Sequence, residues 1–431
     1  MRPDVVYSGG QGLHHLQSGH RGHHFKSGRW AHVRRNEEGD LLQSFWKVTA
    51  VVIHDFHGSG QHLLENNRVF PRHTRHCHPT HPSEVVLVIG PSKVALMHMR
   101  TIAGRSAQPL GLGCMGMSWL YSAAGRDDET STAVIRQALD RGLSVFDTAD
   151  VYARTKAETV LGRALKGVKR ESYELFTKVY FPTGDGKNDR GSSRKHIMEA
   201  VHGSLKRLQT DHIDLYQFHR FDYETSLEES LSAFDDLIRQ GKVMYIGFSE
   251  WKASEISAAV KIQKELGYNR FVSSQPQYSA LWRVIEKEVD PVCRKEGIGH
   301  IVWSPLAQGV LTGKYQPGKK APSGSRARDK KGGANMIGGW MRDEVLTAVQ
   351  KLQPIADAND LSMSQLAVAW VLQNPNVSSA IIGATKPSQI KENVKASGVK
   401  LSSETMAQID KALNGVIERD PSKTQSPKQR P

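Results

Sequence analysis

The residues best suited to chemistry in this chain are Asp147, Tyr152, Lys178 and His219. Three of them end short apolar runs. Leu143-Ser144-Val145-Phe146 ends at Asp147, and Tyr152 follows five residues later. Glu174-Leu175-Phe176-Thr177 ends at Lys178, and Ile213-Asp214-Leu215-Tyr216-Gln217-Phe218 ends at His219. A carboxylate, a phenol, an ammonium and an imidazole make a proton-transfer set. A tyrosine hydroxyl, with an ordinary pKa of about 10, is a weak acid at neutral pH. A neighbouring ammonium lowers that value. Lys178 supplies the charge, Asp147 keeps it protonated and oriented, and Tyr152 becomes a proton donor to a carbonyl oxygen. His219 hydrogen-bonds the same oxygen and sets the substrate's angle. Singly, each residue reads as an ordinary strand-end salt bridge. Their placement at three successive strand ends marks a site.

Such runs must be buried strands that deliver charges to the carboxyl edge of a parallel sheet. From Met99 onward strands and helices alternate with short connections. Leu110-Gly111-Leu112-Gly113-Cys114 reads as the first strand. Helix 129–140 carries Val134, Ile135, Ala138 and Leu139 on one face, and Gly142 stops it. Helices at 156–166, 193–208 and 225–240 separate strands at 143–147, 173–178 and 212–218. Further strands are expected at 243–246, 271–274, 298–303 and 379–382. Eight alternations over about 270 residues predict an α/β fold, the (β/α)8 or TIM barrel. The rival, a doubly wound open sheet, would usually carry a Gly-rich G-x-G-x-x-G turn after an early strand, and none stands there. Segment 305–340, rich in Gly, Lys, Arg, Ser and Pro, is expected to be a long functional loop on the catalytic rim.

Three domains are expected: a His-rich extension over 1–98, the barrel over 99–415, and a polar tail over 416–431. The first of these holds 14 of the 19 histidines and lacks sustained periodicity, so it cannot bury a core. The preferred reading is a disordered extension or an upstream stretch outside the mature protein, with Met97 and Met99 at the start of the ordered pattern. A targeting peptide is disfavoured by the missing apolar signal core. Metal binding through His73, His76, Cys77, His78 and His81 is disfavoured because no second cluster completes a cage, so no metal is expected. The three cysteines form no disulfide framework and suit a reducing cytoplasm. A net charge of +14 raises nucleic acid as a partner, but the basic residues are scattered without a recognised motif. No apolar run is long enough to span a membrane.

With these motifs in place, the chain from Met99 to about Leu413 resembles an aldo-keto reductase. The likeness rests on Leu110-Gly111-Leu112-Gly113, Phe146 to Tyr152, Lys156 to Ala164, Thr177-Lys178 and Asp214 to His219. It continues through Gly247-Phe248-Ser249, Gln275-Pro276-Gln277-Tyr278, Trp303 to Gly309, Gly313-Lys314-Tyr315 and Gly383-Ala384-Thr385-Lys386. Ser193 to Ile197 and the Trp303 block look most like the branch holding potassium-channel β subunits and bacterial reductases.

The resemblance implies an NADPH-dependent reductase of aldehydes and ketones. A small carbonyl compound would be its substrate and Tyr152 its general acid, and a homo-oligomer is left open. Ser249 and Gln275 would hold the carboxamide, and Tyr278 is a weaker candidate to stack on the nicotinamide ring. The phosphates would lie between Trp303, Ser304, Pro305, Leu306 and Gln308 after the seventh strand and Gly383, Thr385 and Lys386 after the eighth. Lys314, Arg326 and Lys386 supply charge suited to a 2′-phosphate, and Gln389, Glu392 and Asn393 resemble adenosine contacts. Departures from the family pattern are Ala153-Arg154-Thr155, where relatives carry glycine after the tyrosine, and Glu250 after Ser249. Channel β subunits carry asparagine at the position of His219, and histidine there favours turnover. The alternatives are an NADPH-sensing regulatory subunit with slow turnover and a dehydrogenase working toward alcohol oxidation.

Overall fold

The computed structural model describes residues 24–35, 41–53, 85–86, 100–102, 105–117, 128–330 and 333–431, with side chains over 108–117, 128–330 and 333–431. The chain divides into two units, Met1–Lys93 and Val94–Pro431. In the first, strands His24–Arg35 and Leu41–Ile53 pair antiparallel, and Val85–Val86 joins the second of them. The rest of 1–98, including the His73 to His81 cluster, lies outside the described residues, and so do the expectations of disorder, targeting or metal binding made for it.

In the second unit, strands Arg100–Ile102 and Arg105–Ala107 pair antiparallel ahead of the barrel. The barrel strands are β1 Leu110–Gly113, β2 Val145–Asp147, β3 Glu174–Val179, β4 Ile213–Phe218, β5 Val243–Phe248, β6 Phe271–Ser274, β7 Gly299–Trp303 and β8 Val377–Ile382. Each pairs in parallel with its sequence neighbours, and β8 returns to β1 through Ile381 opposite Gly111, closing a (β/α)8 barrel. Around it lie α1 Asp128–Asp140, α2 Lys156–Leu165, α3 Arg194–Leu208, α4 Leu227–Arg239, α5 Ala253–Leu266 and α6 Val289–Glu296. Then come α7 Gly333–Ile337, α8 Asp343–Gln350, α9 Gln353–Ala358, α10 Met363–Gln373, α11 Pro387–Asn393 and α12 Ser403–Ala412. The expected barrel elements end within about two residues of those observed. The signals were local: Ser193 Oγ caps α3 by accepting from His196 N, and Gly267 and Gly297 end α5 and α6 with left-handed φ.

Strand residues alternate between two cores. Val145, Phe176, Leu215, Ile301 and Ile381 fill the barrel interior. Their neighbours Phe146, Leu175, Tyr216, Val302 and Ile382 face the helices in the larger core. Burying each such side chain contributes about 1.5–3 kcal/mol. The period of two therefore carries Asp147, two past Val145, and Lys178, two past Phe176, inward at the carboxyl end of the lumen. Gly111 and Gly113 make room there: a Cβ at Gly111 would meet Val145 Cγ1 at 2.7 Å, and one at Gly113 would meet Ile381 Cγ2 at 2.7 Å.

Segment 305–340 differs from a plain loop. It contains 3-10 turns at Ala307–Thr312, Arg326–Arg328 and Gly338–Trp340, together with α7. Sparse apolar residues, Val310, Leu311, Ile337 and Trp340, are buried and anchor it. The tail over 416–431 is also bound. Arg283 N donates to Glu418 O at 2.8 Å, Phe221 N donates to Ser426 Oγ at 2.9 Å, and Arg430 pairs with Asp222. Among the described residues no helix is long and apolar enough to cross a membrane.

Candidate active site

Asp147, Lys178 and His219 reach the barrel mouth from β2, β3 and the residue after β4. Lys178 is fully buried. Its Nζ lies 2.9 and 2.8 Å from the two Asp147 carboxylate oxygens and 2.6 Å from Thr148 O. It also sits 5.1 Å from the centroid of the Tyr152 ring. Gln275 Nε2 donates to Asp147 Oδ1 at 2.7 Å, and Ser249 Oγ donates to Gln275 O at 2.7 Å. The Tyr152 and His219 rings meet edge to face at 5.6 Å, and Phe181 packs on the other side of His219 at 4.8 Å. His219 Nδ1 is buried without a partner among the described residues.

Burial opposes the Lys178 charge, but Asp147 and Tyr152 outweigh it and raise its pKa above the ordinary value. The tyrosine differs from the sequence expectation. Burial pushes the Tyr152 phenol above its ordinary range, and the Lys178 charge pulls down without reversing that. Burial first, then the charges of Arg220 and Lys178, hold His219 well below the ordinary imidazole value, so it is neutral. Behind the site Asp150 is fully buried, and neither of its carboxylate oxygens has a partner among the described residues. Burial, then the nearby Glu158 carboxylate, raise its pKa well above 3.8.

Tyr152 precedes three non-glycine residues in left-handed conformation, Ala153, Arg154 and Thr155, with φ of 51°, 52° and 71°. Each costs roughly 1–2 kcal/mol. This geometry gives a physical reason why glycine would be favoured directly after the motif tyrosine. Arg154 is exposed and does not line the central cavity. Ser304, Ala307 and Gln308, in the loop after β7, are also left-handed. Strain of this kind collects where a loop is held for a purpose.

A cavity of about 380 Å³ opens at the barrel mouth. The candidate site residues line it except Lys178, which stands behind Asp147, Lys386, which is exposed at the start of α11, and the weaker candidate Tyr278. Lys314 and Arg326 share it. Burial, then the Arg326 charge, lower the Lys314 pKa, as expected for cations gathered to meet a polyanion. Gln389 Oε1 accepts from Thr385 N at 2.6 Å and so closes its own helix start. Glu392 Oε1 accepts from Gln365 Nε2 at 2.7 Å. Glu250 accepts from Trp303 Nε1 at 2.9 Å and positions that ring. Tyr278 does not line the cavity; its ring packs 5.3 Å from Trp370 and its hydroxyl donates to Glu286. Lining residues not foreseen include Met115, Arg220, Ser325 and Met336. Arg220 had a signal as the residue directly after His219, and Ser325 and Met336 fall in the segment 305–340 expected on the rim.

A closed parallel barrel with a lysine–carboxylate pair and a tyrosine at its mouth defines a class, and the sequence model of the aldo/keto reductase family matches residues 109–414. The chain belongs to that family. A Schizosaccharomyces pombe protein named as a voltage-gated potassium channel subunit beta is 41% identical over 321 residues, covering 72% of this chain and 92% of that protein. Proteins of the same name from Oryza sativa subsp. japonica and Arabidopsis thaliana are 38% and 39% identical over 312 residues, covering 72% of this chain and 94% of each relative.

Proposed function

We propose that the chain reduces aldehydes or ketones to alcohols with NADPH. The observation that carries this reading is the buried Lys178–Asp147 pair set against Tyr152 in a cavity that also holds Lys314 and Arg326. That cation pair fits a phosphate-rich cofactor, and Ser249, Gln275 and the loops after β7 and β8 would hold it. When bound, NADPH supplies a hydride to the carbonyl carbon. Tyr152 gives the proton to the carbonyl oxygen. Lys178 stabilises the phenolate left behind, and Asp147 keeps the ammonium charged and fixed. Neutral His219 hydrogen-bonds the same oxygen and orients it.

The names of the relatives favour a second reading, a channel β-subunit-like protein that senses NADPH and turns over slowly. Purified protein with NADPH and a panel of aldehydes separates the two. Steady NADPH consumption, lost in Tyr152→Phe by about 100-fold or more with cofactor affinity retained, supports the reductase. Cofactor binding without consumption supports the sensor.

A further inference from the structure

Arg220 is a cation that the reduction mechanism does not use. It is half-buried and lines the cavity together with Tyr152 and His219. Its Nη1 donates to His219 O at 2.6 Å, and its guanidinium lies 5.6 Å from the centroid of the Phe181 ring. These contacts orient the fork without neutralising it. The acids on its own loop are engaged elsewhere. Asp222 accepts from Arg430 Nε at 3.0 Å, Ser192 N at 2.7 Å and Thr225 Oγ1 at 2.8 Å. Glu224 Oε1 accepts from Arg430 N at 2.7 Å. The tail thus supplies the cation that these carboxylates need. No carboxylate of the described residues is paired with Arg220.

We propose that Arg220 selects carbonyl substrates that bear a carboxylate, binding that group while Tyr152 and His219 engage the carbonyl. A guanidinium presents paired N–H donors that match a carboxylate. Met115, Tyr152 and His219 line the same cavity without a carboxylate, and Asp147, the acid beside them, is already held by Lys178 and Gln275. This assignment rests on the reductase reading above and names its substrate class.

The test compares kcat/KM for 4-formylbenzoate and its uncharged amide, 4-formylbenzamide, with NADPH. The native protein is expected to favour the anion by about fivefold, an ion pair's worth at a half-exposed site. Arg220→Met should bring the ratio near one, and Arg220→Lys should keep part of the preference. Arg430→Met, which frees Asp222 and Glu224 to compete for Arg220, should lower the ratio with Arg220 intact. A native ratio near one, or a preference unchanged in Arg220→Met, overturns the assignment and leaves the reductase reading standing. Reduction of neither aldehyde, with NADPH still quenching tryptophan fluorescence, removes the reductase reading and this assignment with it.

Discussion

Gln275 donates its side-chain amide to Asp147 Oδ1 at 2.7 Å, the same oxygen that Lys178 approaches at 2.9 Å. The carboxylate therefore accepts three hydrogen bonds, one from an amide and two from an ammonium. It is suited to hold a charge in place, which in the proposed reduction leaves Tyr152 to give the proton. The bond also ties a residue expected to face the cofactor to the acid–base pair itself.

Lys178→Met leaves the Asp147 carboxylate buried with an amide as its main partner. Removing one member of a buried pair costs about 3–5 kcal/mol. Urea denaturation should show a loss of that size, and the double variant with Asp147→Leu should recover part of it. A loss below about 1 kcal/mol would mean that Asp147 is reached by water.

Tyr152 must carry its proton to donate it, and burial holds the phenol above its ordinary value of 10. His219 titrates well below its ordinary 6.5. Both groups thus stay in one form across the neutral range. The rate of the reduction step is expected to be flat between about pH 7 and 9. A descending limb centred below pH 9 in single-turnover measurements would show that the phenol is more acidic than its burial dictates.

Lys314 and Arg326 bring two charges into one cavity, and in the proposed cofactor site they are the pair suited to a 2′-phosphate. Lys314→Met should weaken NADPH binding by about 10-fold or more, the worth of a charge-assisted hydrogen bond, with a much smaller effect on NADH. Fluorescence titration reads both. Equal losses would place Lys314 on the phosphates that the two cofactors share.

Asp150 holds its proton in the native state above 3.8, where the unfolded chain has released it. The stability tied to that proton is present below 3.8 and is lost as pH rises toward the native pKa. Asp150→Asn removes this loss. Its thermal midpoint should exceed that of the native protein at pH 8, by a margin that shrinks toward about pH 4. A constant difference across that range would show that the carboxyl is ionised in the folded state.

The barrel and three of its catalytic candidates were legible because the signal is local. A period of two within an apolar run fixes which face Asp147 and Lys178 occupy, and each run ends on its charge. Tyr152 was less legible, because its position depends on the left-handed turn at Ala153 to Thr155, which no propensity favours. The direction of its pKa shift was misjudged for a related reason: a sequence displays the lysine's charge but not the depth of burial that outweighs it. Tyr278 looked like a stacking ring, and the distant Trp370 decides otherwise. The tail was opaque because no periodicity marks it. Its order comes from single anchors to remote residues.

The Asp222–Arg430 ion pair joins positions 208 apart in sequence. Closing so long a loop costs entropy that the pair alone does not offset, so the pair waits for the barrel to bring its ends together. In refolding, barrel circular dichroism should therefore return before discrimination between charged and uncharged aldehydes does. On the ribosome, too, the loop bearing Arg220 takes its final shape only after Arg430 has been made, long after the strand that carries it has emerged.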